Sequence, residues 1–126
     1  MSRGELPAEI RRFILTSVPS VPYLEAVLLL RAEPDQAWDA TSLARRLYVG
    51  EKVAADLLQL LSTSGVAEPV EGSQAVRYAP GDELRSLIDR LAGVYAADLV
   101  TVTDLIHSRI DKRAQQFADA FRFRKE

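Results

Sequence analysis

The stretch from Trp38 to Tyr78 constrains this chain more than any other. It spells out two short helices, a tight turn and a two-stranded hairpin in unbroken order. Asp39 precedes Ala40-Thr41-Ser42-Leu43-Ala44-Arg45-Arg46-Leu47, and its carboxylate suits the N-cap, where it accepts from otherwise orphaned backbone N–H groups. Leu43, Ala44 and Leu47 form the inner face of that helix. Tyr48-Val49-Gly50 makes the turn. A second helix is expected over Glu51–Ser62, stopped by Gly65, with Val53, Ala54, Leu57, Leu58, Leu60 and Leu61 inward. Glu51, Lys52, Ala55, Asp56 and Gln59 are then left outward. Val66–Val70 and Ala75–Tyr78 flank Glu71-Gly72-Ser73-Gln74 as a hairpin, and Pro69 places the first strand at a sheet edge.

Helical patterns flank this block on both sides. Pro7–Thr16 is amphipathic, with Ile10, Phe13 and Ile14 on one face. Pro19 and Pro22 break it, and Pro22 suits the first turn of a helix running to about Ala32. Leu24, Val27, Leu28, Leu29 and Leu30 make that helix apolar around much of its circumference, as expected of a central core element. Glu33-Pro34-Asp35-Gln36 is a turn, and Ala37-Trp38 a short strand that pairs with the hairpin.

After Pro80-Gly81, with Asp82 as cap, an apolar stripe recurs at three- and four-residue spacing. It comprises Leu84, Leu87, Ile88, Leu91, Val94, Tyr95, Leu99, Val102, Leu105 and Ile106. As one helix of ~25 residues it spans ~37 Å, longer than a core of this size covers. The excess is expected to be buried against the same helix of a second chain, or under the N-terminal helix. A break is expected over Ser108–Asp111, then a last helix over Lys112–Phe123 with Phe117, Ala118 and Phe121 on one face.

Composition narrows the class. The 126 residues suffice for one domain with a real core, 48% are apolar and 27% charged, and there is no cysteine for disulfides or thiolate metal sites. Charged residues follow the start, and the longest apolar run, Ala26–Leu30, falls far short of the roughly 20 residues that span a bilayer. A cytoplasmic protein is expected. The net charge of −2 weighs weakly against nucleic acid, although local charge matters more.

The order of elements from Trp38 to Tyr78 resembles the winged helix-turn-helix of MarR-like bacterial transcription regulators. The carrying features are the short strand, the helix Ser42-Leu43-Ala44-Arg45-Arg46-Leu47, the following helix, Gly65-Val66, and a hairpin closing on Tyr78. The resemblance covers about a third of the chain. It implies a mainly α fold with a small β-hairpin (α+β), built as one domain over 1–126. N-terminal helices would occupy 7–32, the helix-turn-helix and wing 37–79, and a long, dimerising C-terminal helical region 82–123. It further implies a regulator that binds duplex DNA as a homodimer, with Glu51–Ser62 in the major groove. Lys52 and Gln59 would approach bases, while Arg45, Arg46 and Arg77 would meet phosphates. Leu84, Leu87, Ile88, Leu91, Tyr95, Leu99, Val102 and Ile106 would form the dimer seam.

The same face carries Asp39, Glu51, Asp56, Glu68 and Glu71, so carboxylates outnumber cations on it. Phosphate neutralisation supplies most non-specific affinity, and this balance keeps a second expectation open: a winged helix that docks on protein, as an adaptor or assembly subunit. The basic residues Arg109, Lys112, Arg113, Arg122, Arg124 and Lys125 gather at the C-terminal end, interleaved with Phe117, Phe121 and Phe123. That pattern fits docking on nucleic acid or an acidic protein, and the simpler reading is a phenylalanine core face with solubilising charges.

No catalytic constellation is visible. Asp104, His107 and Asp111 share a helix face, but His107 is the sole histidine and the stripe offers too few convergent ligands for a metal. No nucleophile pairs with a base, and no glycine-rich phosphate loop occurs. Neither an enzyme nor a cofactor is expected.

Overall fold

A computed structural model describes residues 6–108. They are mainly helical with a small antiparallel sheet, an α+β arrangement. The elements in chain order are α1 (Ala8–Ser17), α2 (Val21–Ala32), β1 (Ala37–Trp38), α3 (Ala40–Leu47), α4 (Glu51–Thr63), β2 (Ala67–Pro69), β3 (Val76–Tyr78) and α5 (Asp82–Ala97). A further helix, α6, occupies 99–108 as far as the described residues run. No single described helix is long and apolar enough to cross a membrane.

The chain divides into two compact units, Pro22–Ala92 and, among the described residues, 6–21 with 93–108. The expected segments 7–32 and 82–123 are thus each shared between the units.

In the first unit β3 is the central strand, in the order β1-β3-β2, with Trp38 opposite Val76 and Glu68 opposite Arg77. Alternation along β3 buries Val76 and Tyr78 and exposes Arg77. Pro69 lies on β2, an edge strand, where its missing N–H breaks no ladder. The buried set includes Leu24, Val27 and Leu30 of α2, Trp38, Leu43, Leu57, Leu61, Val66, Ile88 and Leu91. The Tyr23 hydroxyl and Ser64 Oγ share a 2.8 Å hydrogen bond, and Ser64 donates onward to the Leu61 carbonyl. Burial, only partly offset by that bond, raises the Tyr23 pKa above its usual value. In the other unit Ile10, Ile14, Val18, Val102 and Ile106 are buried.

Three expectations need correction. The C-terminal stripe is not one continuous helix: α5 ends at Ala97 and α6 begins after Asp98. Asp98 accepts from the Thr101 N–H at 3.3 Å and from the Thr101 hydroxyl at 2.7 Å, so its side chain caps a new helix while its own N–H closes the last turn of α5 on the Val94 carbonyl at 2.8 Å. Second, Val53 and Leu60 are not core residues but 46% and 43% exposed. The buried arc of α4 is Ala54, Leu57, Leu58 and Leu61, a complete i, i+3, i+4, i+7 set that leaves both on its flank. Third, Asp82 is the first residue of α5 and not its cap; the Arg85 N–H bonds the Gly81 carbonyl at 2.8 Å. The helix expected over Lys112–Phe123, and Asp111, lie outside the described residues.

Candidate functional site

The face worth testing lies on α3, α4 and the β2–β3 hairpin. Asp39 begins α3 through a reciprocal cap: its Oδ1 accepts from the Ser42 N–H at 2.8 Å, and the Asp39 N–H donates to Ser42 Oγ at 3.0 Å. Donation by the Ser42 N–H, then by the Ser42 hydroxyl, holds the Asp39 carboxyl below its usual pKa. Leu43 and Ala44 bury the inner face of α3, leaving Arg45 and Arg46 exposed.

The turn between the helices is made by a left-handed Tyr48 (φ 57°, ψ 45°), whose N–H bonds the Ala44 carbonyl. The Val49 N–H bonds the same carbonyl at 3.2 Å. Tyr48 is 94% exposed, so the strain of that backbone conformation is not offset by packing. Gly50 then stands at the N-cap of α4 in ordinary extended geometry.

Opposite its buried arc, α4 presents Lys52, Asp56, Gln59 and Thr63, all exposed, at i, i+4, i+7 and i+11. Val53 and Leu60 lie along one flank of this stripe. The 71–74 loop of the hairpin turns at Gly72, whose φ of +79° suits glycine, and the Ser73 N–H reaches the Val70 carbonyl at 3.2 Å. The loop carries Glu71 and no cation.

The five expected contact residues differ in their availability. Arg45, Lys52, Gln59 and Arg77 are exposed. Arg46 is engaged: its Nη1 lies 2.8 Å from Glu33 Oε2, and its guanidinium stands over the Trp38 ring, 5.5 Å from the centroid. Two carboxylates are engaged as well, Asp39 in its cap and Glu51 as acceptor of the Thr41 hydroxyl at 3.4 Å. Those neutral donors do not cancel the carboxylate charges, so with Arg46 paired to Glu33 the cations Arg45, Lys52 and Arg77 stand against Asp39, Glu51, Asp56, Glu68 and Glu71, a net-acidic surface. Sequence reasoning missed the exposed flank of α4 formed by Val53 and Leu60, and the exposure of Tyr48 in the turn before it. A stricter count of the i, i+3, i+4, i+7 set on α4 would have found Val53 and Leu60.

The eight expected dimer residues also separate. Ile88, Leu91, Val102 and Ile106 are buried within one chain, Leu84, Leu87 and Tyr95 are partly covered, and Leu99 is 52% exposed.

Elsewhere, Trp38 Nε1 and Tyr78 Oη are buried without a hydrogen-bond partner, and Arg85 stands over the Tyr78 ring at 5.2 Å. Such orphaned groups cost about 1–3 kcal/mol each. An open depression of about 310 Å³ on α1 is lined by Ala8, Arg11, Arg12, Leu15 and Thr16 and presents no acid–base pair. Among the described residues no three His, Cys, Asp or Glu side chains converge as metal ligands. No family model matches the chain, and neither the curated proteins nor the solved structures provide a match.

Proposed function

We propose that this chain is a winged helix-turn-helix regulator that binds duplex DNA as a homodimer, with α4 in the major groove and the β2–β3 hairpin as wing. The observation that carries this reading is the outward stripe of α4. Lys52, Asp56, Gln59 and Thr63 are polar, exposed and aligned, backed by a fully apolar inner arc, with Arg45 and Arg77 exposed on the neighbouring elements. Lys and Gln are side chains that match base edges, and Arg and Lys meet phosphates. With Arg46 engaged by Glu33 and Lys52 directed at bases, Arg45 and Arg77 neutralise about two phosphates per protomer, for a salt slope of about −2 per protomer in log K against log salt. Binding is therefore weak and depends on pairing two protomers. The stripe residues left partly or largely uncovered are the dimer candidates of each unit, Leu84 and Leu87 in Pro22–Ala92 and Tyr95 and Leu99 in the other.

Fluorescence anisotropy on genomic duplex fragments across a salt series tests the DNA reading. No binding at low salt, or equal binding by an Arg45→Ala/Lys52→Ala variant, overturns it. Light scattering that gives a monomer at micromolar concentration overturns the dimer.

One observation favours a second reading, a winged helix that docks on protein. Val53 and Leu60 expose apolar surface beside the polar stripe, and Tyr48 is exposed in the turn that precedes α4. A Val53→Ser/Leu60→Ser variant discriminates: it leaves DNA affinity intact on the first reading and abolishes partner capture on the second.

A further inference from the structure

We propose that Asp56 is a base-reading residue, whose carboxylate accepts a hydrogen bond from the N4 amino group of a cytosine in the major groove. The inference rests on the DNA-binding reading above and names the sequence chemistry that α4 selects.

Asp56 lies in the middle of the outward stripe, about one turn after Lys52 and three residues before Gln59, opposite the buried arc. It cannot turn away from a groove that α4 enters. It is also uncommitted. Lys52 sits four residues earlier, a spacing that permits an ion pair, yet the ion pairs given by the described residues are Arg31–Asp89 and Arg46–Glu33. Asp39 and Glu51, by contrast, are held by Ser42 and Thr41.

A carboxylate brought between two phosphate backbones lowers affinity for every sequence unless it meets a donor. Major-groove donors come from cytosine N4 and adenine N6. Adenine sets its N7 acceptor beside the amino group, which repels a group that only accepts. Cytosine presents the donor without that acceptor, so an ionised Asp56 discriminates in its favour. Lys52, which only donates, matches the O6 and N7 acceptors of guanine. The rise from Lys52 to Asp56 is ~6 Å, so the guanine and the cytosine fall within about two base-pair steps of one another.

The test is selection from a duplex library with a randomised core, using the full chain and its Asp56→Ala and Asp56→Asn variants, each first shown to keep the parent's circular dichroism spectrum. The parent is expected to enrich one position for cytosine, by about tenfold over other bases. Asp56→Ala should lose that preference while other positions keep theirs. Asp56→Asn should move it towards adenine, because an amide both donates and accepts. If Asp56→Ala instead tightens binding to all sequences alike and keeps the same motif, Asp56 is only a solvated carboxylate repelling phosphates; the inference falls and the DNA reading stands. No enrichment by the parent chain overturns the inference, and the DNA reading falls with it only if the parent also fails to bind duplex at low salt.

Discussion

Arg46 Nη1 and Glu33 Oε2 lie 2.8 Å apart, which ties α3 to the turn after α2 while the guanidinium covers Trp38. Both partners are more than a third exposed, so the pair contributes at most about 1 kcal/mol. Glu33→Gln is expected to cost less than that in urea unfolding and to free one cation for phosphate. On the DNA reading, affinity at low salt then rises and the salt slope steepens by about one unit per protomer. Arg46→Ala should cost about 1–2 kcal/mol, through the ring contact and the pair together. An unchanged salt slope in Glu33→Gln would mean that Arg46 lies off the binding face.

Tyr48 holds a left-handed backbone with its ring 94% exposed. Tyr48→Gly should therefore stabilise the protein by about 0.5–1 kcal/mol, the relief of backbone strain less the added freedom of the unfolded chain. Denaturant midpoints check this, and a lower midpoint would show that the ring packs in solution.

Tyr23 predicts the alkaline limit. Its pKa is raised in the folded state above the ordinary 10.0, chiefly by burial. The folded protein thus holds the phenolic proton more tightly than the unfolded chain. The stability it contributes is complete below pH ~10 and declines as pH rises through the folded pKa. Tyr78 acts in the same direction, with burial the largest cause and Asp89 adding to it. Thermal melts of Tyr23→Phe should fall less steeply above pH ~10 than those of the parent. Parallel melting curves would exclude Tyr23 as a source of the decline.

Asp98 separates α5 from α6 through its two bonds to Thr101. Asp98→Ala should cost about 1 kcal/mol, and Asp98→Asn much less, because an amide oxygen still caps. Equal melting temperatures for the three proteins would refute the capping role.

Much of the fold was legible because its signals are local. The Asp39 cap, the Tyr48–Gly50 turn, the pairing of Ala37–Trp38 with the hairpin, and Pro69 on an edge strand each follow from a few adjacent residues. Asp98 was legible in principle too: Asp98-Leu99-Val100-Thr101 has the spacing of a cap, but the apolar stripe running across it hid the break.

The candidate site divides along the same line. By itself the sequence determined that α3, a turn, α4 and a hairpin follow in order, and that Lys52, Asp56 and Gln59 share one helix face, because periodicity sets angular position. Only the tertiary structure decided which charges on that face are free. Arg46 is claimed by Glu33 and Trp38 from other elements, and Val102 and Ile106 are buried within the one chain. Those outcomes depend on which surfaces meet when elements pack, and residue spacing along the chain carries no information about that contact.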